Sequence, residues 1–340
     1  MRVGENSPNE PGAGRVVALC GGIGGAKLAL GLYRVLDAGA LHVICNTGDD
    51  FEHLGLHVSP DIDTVTYTLA GVENPDTGWG RRDETWTFMR AMEALGGDTW
   101  FALGDGDLAI HVERTRRLRA GDSLSRITGD FARRFSITAD LVPMSDDPVR
   151  TVVETTEGDL PFQEYFVRMA CRPVVTGIHY EGAGSATPSP GADQALSADG
   201  LRAVVICPSN PFLSIDPILA VPGIREALTR CRAPVVTVSP LIGGRAVKGP
   251  TAKIMDELSI PATTSAIADH YRGLLDGIVI DDADASDAKT LSLPGLVTRT
   301  LMMSLNERDN LAKRVLDFAD QLRKVPAGNS PGSPKRMRGV

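Results

Sequence analysis

The chain has 340 residues, 42% hydrophobic and 23% charged, and carries a formal net charge of −8. That length serves one large domain or two modest ones; no run of eighteen apolar residues is present to span a bilayer, and the acidic surface disfavours nucleic acid outside a local basic groove. Five scattered cysteines (Cys20, Cys45, Cys171, Cys207 and Cys231), none in C-x-x-C spacing, argue against zinc and disulfides and suit a reducing cytoplasm.

Residues 1–14 are polar, lack the apolar core of a signal peptide and are expected to be a disordered lead-in. An apolar run, Arg15–Cys20, predicts a strand, followed by the turn Gly21-Gly22-Ile23-Gly24-Gly25. A helix then carries Leu28, Leu32, Val35 and Leu36 at helical spacing, and a second strand spans Leu41–Asn46. This is a β-α-β unit with parallel strands and a right-handed crossover. Further strand-like runs lie at Trp100–Leu103, Leu141–Met144, Val149–Glu154, Leu201–Cys207, Val235–Val238 and Gly277–Ile280. Amphipathic stretches at Thr64–Ala70, Glu84–Leu95, Leu124–Phe135, Gly223–Arg230 and Asn310–Leu322 predict helices. The alternation predicts an α/β fold: a Rossmann-like open, mostly parallel sheet with helices on both faces. One domain over 15–324 is expected, with a smaller helical and loop insertion around 120–200. Glu181–Gly200 reads as a long surface loop, and 325–340, rich in Pro, Gly and Ser, as a disordered tail.

Ligands of such sheets sit outside the carboxyl ends of the strands. Polar motifs recur there: Gly21–Gly25, Asn46–Asp50, Gly104–Asp107, Pro208–Pro211 and Ser239–Gly244. The glycine turn opens a helix, whose N-terminus attracts phosphate; Lys27 would add a full charge. It matches neither the dinucleotide fingerprint, because Lys27 stands where the third glycine belongs, nor a P-loop, because Ala26 and Leu28 flank the lysine.

Asn46-Thr47-Gly48-Asp49-Asp50 ends the second strand, and Ser59-Pro60-Asp61-Ile62-Asp63 begins a helix. Ser59 as N-cap and acids beside the helix dipole would explain part of this pattern, but not Asp49 and Asp50. Four neighbouring carboxylates, Asp49, Asp50, Asp61 and Asp63, need a positive partner. Magnesium would serve, bridging oxygen ligands to substrate phosphates. Asp105 and Asp107, taken as ending a third strand, are secondary candidates. In Trp79-Gly80-Arg81-Arg82-Asp83-Glu84-Thr85-Trp86, guanidinium groups could clamp phosphate and a tryptophan could stack on a planar ring; equally, Asp83 could cap a helix with Trp86 in the core. The Ser209-Asn210 and Gly243-Gly244 loops could offer donors to a nucleotide or serve only as rigid turns. No H-E-x-x-H or G-x-S-x-G motif supports a zinc or serine hydrolase.

In order, GGIGGAK, NTGDD, SPDIDTVTYTLAG, WGRRDETW, LGDGD, PMSDDP, PFQE, PSNP and SPLIGG resemble the 2-phospho-L-lactate transferase family, CofD in archaea and FbiA in actinobacteria, from about Val16 to Phe318. The resemblance implies a magnesium-dependent enzyme of coenzyme F-420 biosynthesis. The ribityl hydroxyl of the deazaflavin Fo would attack a guanylylated donor carrying a phosphorylated three-carbon acid, and GMP would leave. It further implies Asp63, Asp61 and Asp50 as catalytic, Asp49, Asp50, Asp61 and Asp63 as metal-holding, and Asp63, Trp79, Arg82 and Asp105 facing Fo. Gly21, Gly22, Gly24, Gly25, Lys27, Ser209, Asn210, Gly243 and Gly244 would face the donor. A homodimer is common in that family. Gly106 stands where many members have arginine, and Ala102 where some archaeal ones have lysine; lactate, enolpyruvate and glycerate all stay open as the donor acid. The alternative is a nucleotide-sugar-binding regulator of the gluconeogenesis-factor type, which shares the early glycine loop.

Overall fold

A computed structural model of the chain describes residues 14–324; the expected lead-in, apart from Gly14, and the expected tail lie outside the described residues. Strand β1 (Arg15–Cys20) turns into α1 (Gly22–Val35), and β2 (Leu41–Cys45) pairs parallel to β1. A hairpin of β3 (Phe51–His53) and β4 (Leu56–Val58) leads to α2 (Pro60–Ala70), α3 (Thr87–Ala94), α4 (Asp105–Arg119) and α5 (Leu124–Arg134). Strand β5 (Asp140–Pro143) joins β2, whereas β6 (Arg150–Thr155), β7 (Gly158–Pro161) and β8 (Val175–Glu181) form an antiparallel sheet of their own. Helix α6 (Pro190–Ser197) precedes β9 (Leu201–Ile206), which pairs with β1 on the side away from β2. After it come α7 (Asp216–Ala220), α8 (Ile224–Arg230), β10 (Val235–Val238), the two-residue strands β11 (Leu241–Ile242) and β12 (Arg245–Ala246), α9 (Thr251–Glu257) and α10 (Thr264–His270). Strands β13 (Gly277–Ile280) and β14 (Gly295–Val297) and helix α11 (Leu305–Lys324) close the chain.

The main sheet runs β14-β13-β10-β9-β1-β2-β5, with every pairing parallel. Alternation along β1 divides the core. Val17 and Leu19 pack on one face with Ile206, Leu196, Ile224 and Ile267. Val16, Ala18 and Cys20 pack on the other with Leu28, Leu32, Val65 and Val315. Both faces of the strands are therefore covered by helices, as near-continuous apolar strands require. The expected parallel α/β architecture is the observed one.

Four local expectations need correction. Trp100–Leu103 is not a strand; Trp100 and Phe101 pack edge-on against His53 and Phe51, with ring centroids 5.2 and 4.8 Å apart, so aromatic packing on the hairpin replaces sheet pairing. Consequently Gly104-Asp105-Gly106-Asp107 ends no strand but opens α4. The run at Val149–Glu154 is a strand of the antiparallel sheet, not of the parallel one. Glu181–Gly200 is not an irregular loop: it holds α6, whose N-cap Ser189 accepts from the Ala192 N–H.

Candidate active site

The chain steps outward from β1 to β2 and β5, then returns to lay β9 on the other side of β1. In such sheets the carboxyl ends of the strands flanking the reversal, here β1 and β9, are where ligands are received. There the Gly21 N–H donates to Ser209 Oγ (3.2 Å), and the Ser209 hydroxyl donates to the Gly21 carbonyl (2.7 Å). A Cβ on Gly24 would stand 2.5 Å from the Pro208 carbonyl oxygen, and one on Gly25 2.4 Å from Ser209 Oγ. The turn needs glycine because the β9 loop crosses it this closely. Asn210 accepts from the Phe212 and Leu213 N–H groups (3.0 and 3.1 Å), while its Nδ2 is buried and without a partner. Gly21, Gly22, Gly24, Gly25, Ser209 and Asn210 thus come together.

Asp61 reaches into the same turn. Its carboxylate accepts from the Gly22 N–H (2.7 Å) and from Asn46 Nδ2 (2.9 Å), so an anion already stands at the α1 N-terminus. Burial pushes its carboxyl up to about 6, against those two hydrogen bonds. Asp50 is held by His57 Nε2 (3.0 Å) and the Ser59 hydroxyl (2.9 Å). Ser59 therefore does not cap α2 with its side chain; the hydroxyl is spent on Asp50. Burial, aided by Asp61 and Asp50, pushes the Asp49 carboxyl well up. Asp49 Oδ1 and Asp50 Oδ1 are both buried and unpartnered.

Asp63 lies in a separate network between α2 and α4. The fully buried Arg114 guanidinium grips both its oxygens, one contact at 3.1 Å and the other to Oδ1. His111 Nδ1 is 3.7 Å from Asp63 and its Nε2 3.3 Å from Asp107, to which the Tyr67 hydroxyl donates. Burial raises the Asp63 carboxyl, and Arg114 and His111 pull it back. Asp107, His111 and Arg114 share one face of α4 at i, i+4 and i+7, facing Asp63 and Tyr67 at i, i+4 on α2.

The remaining candidates divide. Asp105 accepts from the Thr85 hydroxyl (2.5 Å) and the Thr87 and Phe88 N–H groups (3.1 and 3.0 Å), hydrogen bonds that hold its carboxyl down at about 2. It ties down the start of α3, the role expected of Asp83, whose φ of 59° places it in the turn instead. Glu84 accepts from the Gly106 N–H (2.7 Å), and Arg81 donates to the Gly106 carbonyl (3.1 Å), fastening this segment over the start of α4. Trp79 and Trp86, exposed on one side, line a small cavity with Arg81, Glu84 and Asp107; Arg82 points to solvent. The Gly243 and Gly244 N–H groups both donate to Asp284 (2.9 and 3.1 Å), so a carboxylate of the chain itself takes these amides. Lys27 donates to the Met302 carbonyl (3.1 Å).

The family model for 2-phospho-L-lactate transferase CofD matches residues 16–294. The chain belongs to the 2-phospho-L-lactate transferase family. It is 41% identical over 319 residues to the phosphoenolpyruvate transferase of Streptomyces griseus, covering 91% of this chain and 99% of that one. It is also 41% identical over 312 residues to the 2-phospho-L-lactate transferase of Methanopyrus kandleri, covering 91% and 98%. A solved member of the UPF0052 family from Bacillus halodurans shares the fold, with a TM-score of 0.60 at 15% identity over 89% of this chain and 98% of that one.

As a member of the 2-phospho-L-lactate transferase family the chain is an enzyme, a transferase. Two sets of residues on this member could hold a cation. Asp63, Asp107 and His111 offer ligand atoms within 4.8 Å of one another. Arg114 already neutralises Asp63, however, and an imidazole nitrogen is a poor ligand for magnesium. The unpartnered oxygens of Asp49 and Asp50 fit magnesium better, since it commonly takes one or two carboxylates and completes its shell with water and phosphate. Tyr67, His111 and Arg114 were missed by motif reading. The signal available was the spacing Asp107-x3-His111-x2-Arg114, which puts three polar groups on one face of a helix.

Proposed function

We propose that this transferase moves a phosphorylated three-carbon acid from a guanosine-diphosphate-type donor to the ribityl hydroxyl of the deazaflavin Fo, in coenzyme F-420 biosynthesis. The reading rests on family membership, and one observation carries its location: the glycine turn, Ser209, Asn210 and the buried Asp49, Asp50 and Asp61 carboxylates meet at the strand-order reversal. The names of the Streptomyces and Methanopyrus relatives, one for phosphoenolpyruvate and one for 2-phospho-L-lactate, leave the acid to be measured.

In this reading the hydroxyl oxygen attacks the phosphorus that bears the acid, the bond from that phosphorus to the GMP oxygen breaks, and GMP departs. The α1 turn and Asn210 hold the donor, and the exposed rings of Trp79 and Trp86 offer a surface on which the flat ring stacks, placing the ribityl arm toward the carboxylates. Asp61, titrating at about 6, has the proton affinity best matched to receiving the hydroxyl proton near neutrality. Asp49 and Asp50 would hold magnesium, which would supply charge neutralisation to the diphosphate. Asp63, fixed by Arg114, sets the α2–α4 wall against which Fo lies. Positioning and charge neutralisation, rather than covalent chemistry, carry the rate.

Equilibrium binding tests the assignment: Fo fluorescence titration, and melting temperature with Fo or a UDP-sugar. Saturable Fo binding, lost on Trp79→Ala, supports it. Stabilisation by the UDP-sugar with no response to Fo favours the regulator instead.

A further inference from the structure

Three cations come to α1 from separate elements: Lys27 on α1 itself donates to the carbonyl of Met302, just before α11, and a Cβ on Gly31 would lie 2.3 Å from the Arg308 carbonyl oxygen at the start of α11. Lys27 lies in the second turn of α1, Lys248 in the loop after β12, and Arg308 in the first turn of α11. Lys27 is half-buried, and burial lowers its ammonium pKa; Arg308 and Lys248 lower it further, and Glu73 alone opposes them. Arg308 donates to Glu73 (3.3 Å), while its Nε is buried with no partner. Lys248 donates to the Thr77 carbonyl (3.0 Å). A Cβ on Gly78 would lie 3.4 Å from Lys248 Nζ and 3.0 Å from Ile23 Cγ2, so the Lys248 head group sits close to the glycine turn.

Arg308 is paired with Glu73, whereas Lys27 and Lys248 each donate to a neutral carbonyl and form no ion pair among the described residues, in a chain whose formal net charge is −8. Gathering like charges in a half-buried place costs free energy unless an anion joins them. At the glycine turn, Asp61 already takes the Gly22 N–H, and the Asp49–Asp50 pair would need magnesium before an anion could join it. An extended polyanion at this site therefore turns its extra negative group toward the cations. The exposed side chains of Val247, next to Lys248, and Met303, next to the Met302 that Lys27 contacts, offer apolar contact to a short carbon stem.

We propose that Lys27, Lys248 and Arg308 form the subsite for the carboxylate of the acid being transferred, Arg308 by its planar fork and the lysines as point charges. This rests on the transferase reading and adds to it the group that distinguishes the donor from a simple guanosine diphosphate. The diphosphate is left to the glycine turn and the Asp49–Asp50 pair, and the guanine to the β9 loop.

The test measures the donor KM, the Fo KM and the Kd of GDP, which lacks the carboxylate, for wild type, Arg308→Gln and Lys248→Gln. Lys248 is exposed, so its variant avoids the folding cost that losing the Arg308–Glu73 pair could bring. The donor KM should rise about 10- to 100-fold, the scale of a hydrogen bond to a charged group, with Fo KM and GDP Kd shifted far less. A GDP Kd that weakens as much as the donor KM places the diphosphate there and overturns the proposal, as does an unmoved donor KM. Thermal shift with phosphoenolpyruvate alone separates this from the broader reading. If no donor turns over, stabilisation of wild type but not of the variants keeps the anion subsite while the transferase reading falls. Stabilisation of neither removes the subsite.

Discussion

Replacing Asp63 by asparagine leaves the Arg114 guanidinium, 1% exposed, buried without its counter-charge. Removing one partner of a buried pair typically costs about 3–5 kcal/mol. At an unfolding entropy of about 2.1 cal/mol/K per residue, that is a fall of roughly 4–7 °C in melting temperature for a chain of this size. Differential scanning fluorimetry reads the change directly. The loss would be mistaken for catalysis if activity alone were followed, so the decisive variant is the double one, Asp63→Leu/Arg114→Met. Replacing both charges with apolar groups of similar volume removes the desolvation penalty, and the melting temperature should return to within about 2 °C of wild type. Turnover should stay low in both variants, because neither restores the polar network of Asp63 with Arg114 and His111 that shapes the wall against which Fo lies. A fall under about 1 °C in Asp63→Asn would show that the pair carries no stability, and full turnover in the refolded double variant would show that Asp63 does not position Fo.

Asp61 gives a pH test. Its folded-state carboxyl is raised to about 6, so the folded protein binds that proton more tightly than the unfolded chain. The resulting stability is full below the ordinary carboxylate range, near pH 4, and is lost as pH rises through about 6. Relative to Asp61→Asn, wild type should lose on the order of 3 kcal/mol between those limits; parallel melting curves across pH 4–7 would contradict this. Gly24→Ala drives a methyl against the Pro208 carbonyl oxygen, so donor KM should rise at least tenfold while Fo still binds; a normal donor KM would mean the turn does not touch the donor. Asp284→Ala strips the acceptor from two amides and should cost about 1–3 kcal/mol, read by urea denaturation; no change would show that water replaces the carboxylate.

The parallel sheet was readable because fully buried strands such as Val16–Leu19 and Val204–Ile206 appear as apolar runs closed by polar turns. The β1–β9 site was readable for the same reason: both of its loops sit at strand ends. Trp100–Leu103 misled because a short aromatic run looks alike whether it pairs in a sheet or packs on a hairpin. Asp105 and the Gly243–Gly244 amides looked free because a chain's own caps and carboxylates follow from tertiary placement, which no local motif records. Arg114 lay hidden in a charged stretch that reads as solvated helix, although α4 buries that one guanidinium against Asp63.

Mass spectrometry of purified protein with magnesium, Fo and each of the lactyl, enolpyruvyl and glyceryl guanylylated donors tests the transfer itself. The account predicts that GMP and one Fo-phosphoacid product appear together in equal amounts, and only when both substrates are present. GMP released without the coupled product, or no reaction with any donor, would contradict it.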